Sequence, residues 1–167
     1  FLAMTATRSQ EVRGATWDEF DFEARIWIIP AERMKMDREH RVPLTLETIS
    51  LLQALPRHEG TTLVFPAPRG GMLSDMTLSA AMKRMHKADV EKGGEGYVDR
   101  TSKRPAVPHG IRSTFRDWVA ERTEFAGDMA EVALAHRVSN AVEAAYRRGD
   151  MLERRRALVK AWGDFLN

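Results

Sequence analysis

Apolar positions along the chain switch between two spacings, and the switches lay out most of the elements. Phe1 to about Val12 reads as a helix, which Gly14 and the polar stretch Thr16 to Asp21 interrupt. Ala24 to Ile29 (ARIWII) is apolar and rich in β-branched and aromatic residues, and Pro30 ends it; this predicts a strand. Arg33 to Arg41 is charged and hairpin-like. Arg41-Val42-Pro43-Leu44 predicts a second short strand, placed at a sheet edge by its proline. Thr45 opens a helix with apolar Leu46, Ile49, Leu52 and Leu55. Pro56 to Thr62 is a loop, Leu63 to Phe65 a short apolar piece, and Gly70-Gly71 a turn. Ser74 to about Lys87 carries Met76, Leu78, Ala81, Met82 and Met85 at helical spacing. Lys92 to Val107, rich in glycine and charge, reads as a mobile loop. Ile111, Phe115, Trp118 and Val119 form one helical stripe. Met129, Ala130, Ala133 and Leu134 form another, with Asp128 and Glu131 in capping positions. Asn140 to Arg148 reads as a short helix stopped at Gly149. The last helix, Met151 to Leu166, is amphipathic through Leu152, Leu158, Val159, Trp162, Phe165 and Leu166, and packs on its own domain or on a neighbour. The sum is an α+β, mainly helical domain with a small antiparallel sheet near its start.

Composition narrows this picture. A length of 167 residues suits one domain, and 43% hydrophobic residues can bury a core. The net charge is only +2, so it is the placement of the bases that matters. Lys83 to Arg104 holds seven basic residues against four acidic ones, and Tyr146 to Lys160 holds six against two. Such clusters serve a polyanion or form a solvated helix face. The absence of cysteine excludes disulfides, thiolate metal sites and a cysteine nucleophile. No apolar run is long enough to span a membrane. The opening FLAMTATRSQEV lacks the pattern of a secretory signal and reads as a helix entered partway, as in a fragment of a longer protein.

Several residues could carry chemistry. In His109-Gly-Ile-Arg112, positions three apart share a helix face different from the apolar stripe, so both side chains are expected to project together, away from the core. An imidazole beside a guanidinium suits a phosphate, although an isolated pair of this kind is more often a surface pair. Arg8 and Glu11 form either a local ion pair or an arginine steered by its carboxylate so that its other donors enter a site. Lys35, in Arg33-Met34-Lys35-Met36, is a solvated hairpin lysine or a reaching general acid. His136 follows Leu134-Ala135 as a helix-end residue or a catalytic one. Tyr146, in Ala144-Ala145-Tyr146-Arg147-Arg148, is a core residue or a nucleophile.

The order and spacing of these pieces resemble the tyrosine recombinases of the phage integrase family. The matching segments are Thr5-Ala6-Thr7-Arg8-Ser9-Gln10-Glu11, Trp17 to Asp21, Lys35 with Val42-Pro43-Leu44, His109 to Arg112, Leu134-Ala135-His136 and Tyr146. The stretch EAAYRRGD, with an arginine-rich helix and a tryptophan after it, is similar to prophage and genomic-island integrases. One departure is Ala6, where the family usually has glycine; its extra methyl is expected to alter packing near Arg8. The resemblance implies that residues 1–167 form a C-terminal catalytic domain without the amino-terminal arm and core-binding domains.

It also implies roles. Tyr146 would attack the scissile phosphate, Arg8 and Arg112 would bracket its oxygens, His109 would take the tyrosine proton, Lys35 would protonate the leaving 5′ oxygen, and His136 would donate to a phosphate oxygen. No cofactor, metal or ATP is implied, and the sequence has neither an acidic cluster with magnesium spacing nor a phosphate-cradling glycine loop. The implied partners are double-stranded DNA at attachment sites and three further copies in a tetramer on DNA, with the fragment alone a monomer, and the implied location is the bacterial cytoplasm at the nucleoid. Competing readings are a non-catalytic DNA-binding module of the same fold, a type IB topoisomerase-like enzyme, and a helical protein-binding domain.

Overall fold

The computed structural model describes residues 1–99, 102–136 and 149–166. Among these, seven α-helices surround one three-stranded antiparallel sheet. The helices are α1 (Leu2–Thr5), α2 (Ser9–Arg13), α3 (Leu46–Gln53), α4 (Thr77–Glu91), α5 (Gly110–Arg122), α6 (Gly127–Ala133) and α7 (Leu152–Leu166). The strands are β1 (Phe20–Asp21), β2 (Ile26–Ile29) and β3 (His40–Pro43), in the order β1-β2-β3. The mainly helical α+β architecture expected from the sequence is the one found. So is the edge position of the proline-bearing strand: Pro43 lies at the end of β3 opposite Ile26.

The first helix departs from expectation. It is broken into α1 and α2 by Ala6, which is left-handed at φ +49°, and by extended Arg8. Nothing in the local sequence demands this, since neither glycine nor proline is present. The break is held by Glu11, whose carboxylate accepts from the Arg8 amide and from the Arg8 guanidinium, both at 2.7 Å. Left-handed backbone costs a non-glycine residue about 1–2 kcal/mol. The Ala6 methyl packs into a core at 2% exposure, which offsets part of that cost.

Two apolar clusters build the interior. One lies on the sheet and joins Val12, Phe20, Trp27, Ile29, Val42, Leu52 and Val64, with Phe1 packed against Trp27. Trp27 is fully buried, and its indole N–H donates to Glu19 at 2.8 Å. The other lies among α5, α6 and α7 and joins Ala6, Phe115, Trp118, Val119, Met129, Leu134, Leu158 and Trp162. The predicted stripes on α5 and α6 are thus the core faces. Ala6 belongs to the helical cluster and Ala135 abuts the sheet cluster, so the chain segments around them form the seam between the two.

The last helix packs on its own chain. Trp162 donates its indole N–H to the Ala3 carbonyl at 2.8 Å. Arg155, one of the clustered bases read from the sequence as serving a polyanion or forming a solvated helix face, is instead fully buried. Its donors reach the Arg41 carbonyl at 2.6 Å, the Asp150 carbonyl at 2.7 Å and the Asp150 carboxylate at 2.7 Å. Two other expectations change. α4 forms, but its methionine stripe stays open, with Met76 and Met85 more than half exposed. α6 has Ala126 as its N-cap, with no side-chain cap, and Glu131 binds elsewhere. The segment after α4 is tied back to it: the Gly96 amide donates to Asp89 and the Tyr97 amide to His86. The short helix expected at Asn140 to Arg148 falls entirely on residues outside the described ones.

Candidate active site

α6 leaves its last turn through Ala135, left-handed at φ +51°. The Ala135 amide donates to the Val132 carbonyl at 3.0 Å and the His136 amide to the Glu131 carbonyl at 2.8 Å. This pair of hydrogen bonds makes a Schellman turn, which closes two carbonyls and leaves the next ones without helical partners. Here three successive carbonyls are taken by side chains from distant parts of the chain. His40 Nε2 lies 3.1 Å from the Ala133 carbonyl, Arg112 donates to that of Leu134 at 2.6 Å, and Arg8 donates to that of Ala135 at 3.3 Å. The turn therefore gathers Arg8, His40, Arg112 and His136 at the seam between the cores.

Arg112 is only 4% exposed. Besides Leu134 it donates to the Ala6 carbonyl at 2.7 Å, and its Nη2 faces His136 Nε2 at 3.0 Å. Its Nε is buried with no protein partner. Burial, and then the neighbouring charge of Arg8, lower its guanidinium to about 10, so it remains protonated at neutral pH. The expectation that Arg112 and His109 project together away from the core is corrected on this point. α5 is covered by the Ala6 and Leu134 segments, whose carbonyls draw the guanidinium inward, while His109 stays exposed at the N-terminal end of the helix.

Arg8 is the arginine steered by its carboxylate: Glu11, 2% exposed, holds one nitrogen and leaves the other directed at Ala135. Two guanidiniums thus share one seam over a buried carboxylate. His136 is held from behind, its Nδ1 2.7 Å from Glu131, whose other oxygen accepts from Arg116 at 2.6 Å. Burial works to raise the Glu131 carboxyl; the bonds from His136 and Arg116 outweigh it and hold the carboxyl below its ordinary value. Such a pair of cations with a nearby imidazole can grip one tetrahedral oxyanion.

The six residues singled out in the sequence therefore divide. Arg8, Arg112 and His136 meet. His109 stands one turn before Arg112 on the same helix. Lys35 is exposed on the connection between β2 and β3, joined to the cluster by no hydrogen bond or ion pair among the described residues. Tyr146 lies outside the described residues. Two contributors escaped sequence reasoning. Glu131 looked like a capping residue. His40 was passed over, although strand alternation with buried Val42 places it inward, where an imidazole needs a partner. Among the described residues no group of three or more His, Asp or Glu could hold a metal ion, and no helix is long and apolar enough to cross a membrane.

The chain is similar to known proteins. The chain is 39% identical to the prophage integrase IntA of Escherichia coli K12 over 98% of its own length and 36% of that protein's. It is 33% identical to the integrase of Enterobacteria phage P4 over 98% of its length and 38% of that protein's. It thus spans well under half of these relatives. The fold is similar to that of the Tn1549 transposon integrase in complex with transposon right end DNA, with a TM-score of 0.63 at 18% identity, covering 96% of this chain and 56% of the other. A model of the phage integrase family matches residues 1–153, and the chain belongs to that family.

Proposed function

We propose that the chain is the catalytic domain of a site-specific DNA recombinase that breaks and rejoins strands through Tyr146. The observation that carries this reading is the pairing of Arg8 and Arg112 at one turn beside His136, with the Arg112 Nε buried and unpartnered. Fixed cations aimed at the charge that develops on a phosphate stabilise the transition state; one such contact is worth a factor of roughly 100 to 1,000.

In this reaction the Tyr146 oxygen forms a bond to phosphorus as the bond to the 5′ oxygen breaks. A phenol, with an ordinary pKa of about 10, needs its proton removed, and His109 takes it. Lys35 gives a proton to the departing 5′ oxygen. Arg8, Arg112 and His136 hold the non-bridging oxygens. The product is a 3′-phosphotyrosine, which the 5′ hydroxyl of a partner strand reverses, with no ATP required. Lys35 sits on an exposed connection and His109 at an exposed helix end, so both side chains are open to solvent, as an approaching duplex would require. Exchange between two duplexes requires several such sites, so the acting species is a tetramer on DNA, with further domains supplying the grip on the opposite face of the duplex.

The test is a nicked suicide duplex carrying the end sequence of the genetic element that encodes the protein. The protein is expected to form a denaturant-resistant adduct that Tyr146→Phe does not. Supercoil relaxation without site preference would replace this reading with that of a topoisomerase, and binding without any adduct would replace it with that of a DNA-binding module.

A further inference from the structure

We propose that Glu131 is a positioning residue for strand cleavage, fixing the proton of His136 on Nδ1 so that Nε2 is presented beside Arg112. The inference rests on the proposed recombinase reading for its chemistry and on the geometry for its residues. Glu131 is five residues before His136, and the Schellman turn folds the chain back so that the two side chains meet at 2.7 Å. An ionised carboxylate only accepts, so the Nδ1 it touches must carry the hydrogen. A guanidinium only donates, so Nε2, 3.0 Å from Arg112, is the lone pair. The two neighbours thus select one tautomer. Arg116, bound to the other Glu131 oxygen at 2.6 Å, keeps that carboxylate from turning away.

The arrangement has a direct use. A neutral ring with its proton on Nε2 could donate to a phosphate without help, but it would present an N–H to the Arg112 donor. With Nδ1–H held by a carboxylate, Nε2 accepts from Arg112 while the site is empty. A proton from solvent, taken up as a phosphate oxygen arrives, turns Nε2 into a donor and gives an imidazolium bonded at both ends.

The discriminating variant is Glu131→Gln, which keeps the shape. Its amide can offer its oxygen to Arg116 only by turning its NH2 toward His136, which makes Nδ1 the acceptor and moves the proton to Nε2. Two measurements follow. Histidine side-chain nitrogen NMR on the protein is expected to show the Nδ1–H form of His136 in the parent and the Nε2–H form in Glu131→Gln. Single-turnover adduct formation on the nicked duplex is expected to slow by about ten- to a hundredfold in Glu131→Gln, the size of one lost hydrogen bond to a charged group. Glu131→Asp, which keeps the charge, is expected to retain the Nδ1–H form and part of the rate. A parent His136 with its proton on Nε2 overturns the proposal, and needs no variant to fold. So does a Glu131→Gln protein that keeps both the parent tautomer and the parent rate. Absence of adduct in the parent overturns the recombinase reading instead, and the tautomer result still stands on its own.

Discussion

Acidification should weaken this fold through one imidazole. His40 is 7% exposed on β3, with Nε2 3.1 Å from the Ala133 carbonyl. Burial, reinforced by the charges of Arg155 and Arg8 and opposed by Glu11 and the bond to Ala133, lowers its pKa from 6.5 to about 4. The unfolded chain therefore binds a proton in a window where the native one does not, so stability falls as pH drops from about 6.5 toward 4. A shift of about 2.5 units corresponds to about 3.4 kcal/mol when titration is complete, of which about 2 kcal/mol is lost by pH 5. That is a large part of a typical stability of about 5–15 kcal/mol. The lowered carboxyls of Asp150 and Glu131 act in the same direction, but only below the ordinary carboxylate range, so the two windows separate. Urea unfolding followed by tryptophan fluorescence at pH 7, 6 and 5 measures the loss. His40→Gln, whose amide can still donate to Ala133, should be weaker by about 1 kcal/mol at pH 7 and nearly flat to pH 5. Equal slopes in the two proteins would refute the assignment.

Further outcomes follow from the same contacts. Ala135→Gly should raise stability by about 1 kcal/mol in thermal melts, because it relieves a left-handed residue whose methyl is only half-buried. Ala6→Gly should change it by less than about 0.5 kcal/mol, since there the same relief is cancelled by a lost buried methyl worth about 0.8 kcal/mol. Asp150→Asn leaves Arg155 buried without its charge partner and should cost about 3 kcal/mol in urea unfolding. Arg112→Ala should abolish the adduct and also lower stability by about 2 kcal/mol, because the Ala6 and Leu134 carbonyls lose their donor; an unchanged melting temperature would show that those bonds carry nothing.

Much of the architecture was legible because periodicity reports burial. The α5 stripe Phe115, Trp118 and Val119 and the strand Ile26–Ile29 lie where their spacing puts them. What escaped was set by partners far away in sequence. The break at Ala6 depends on a carboxylate at Glu11 and on Arg112, which is 106 residues away and takes the Ala6 carbonyl. Arg155 looks like one more surface base in Arg154-Arg155-Arg156, and only the Asp150 and Arg41 groups around it make it internal. For the candidate site, the order of motifs pointed to Arg8, Arg112 and His136, while local pattern misassigned Glu131. A capping position and an imidazole clamp look identical in sequence until the turn after Leu134 is known.

The arginine on α5 has a double duty: the same fork that would grip an oxyanion also braces the α1–α2 break and the end of α6. If the chain cuts DNA as proposed, a descendant that had ceased to do so would still be selected to keep Arg112, for the sake of its folding. Exposed Lys35, with no such obligation, would be free to drift. Under the proposed recombinase reading, keeping that arginine would mark an intact scaffold, and losing that lysine would be the earlier sign of an enzyme falling silent.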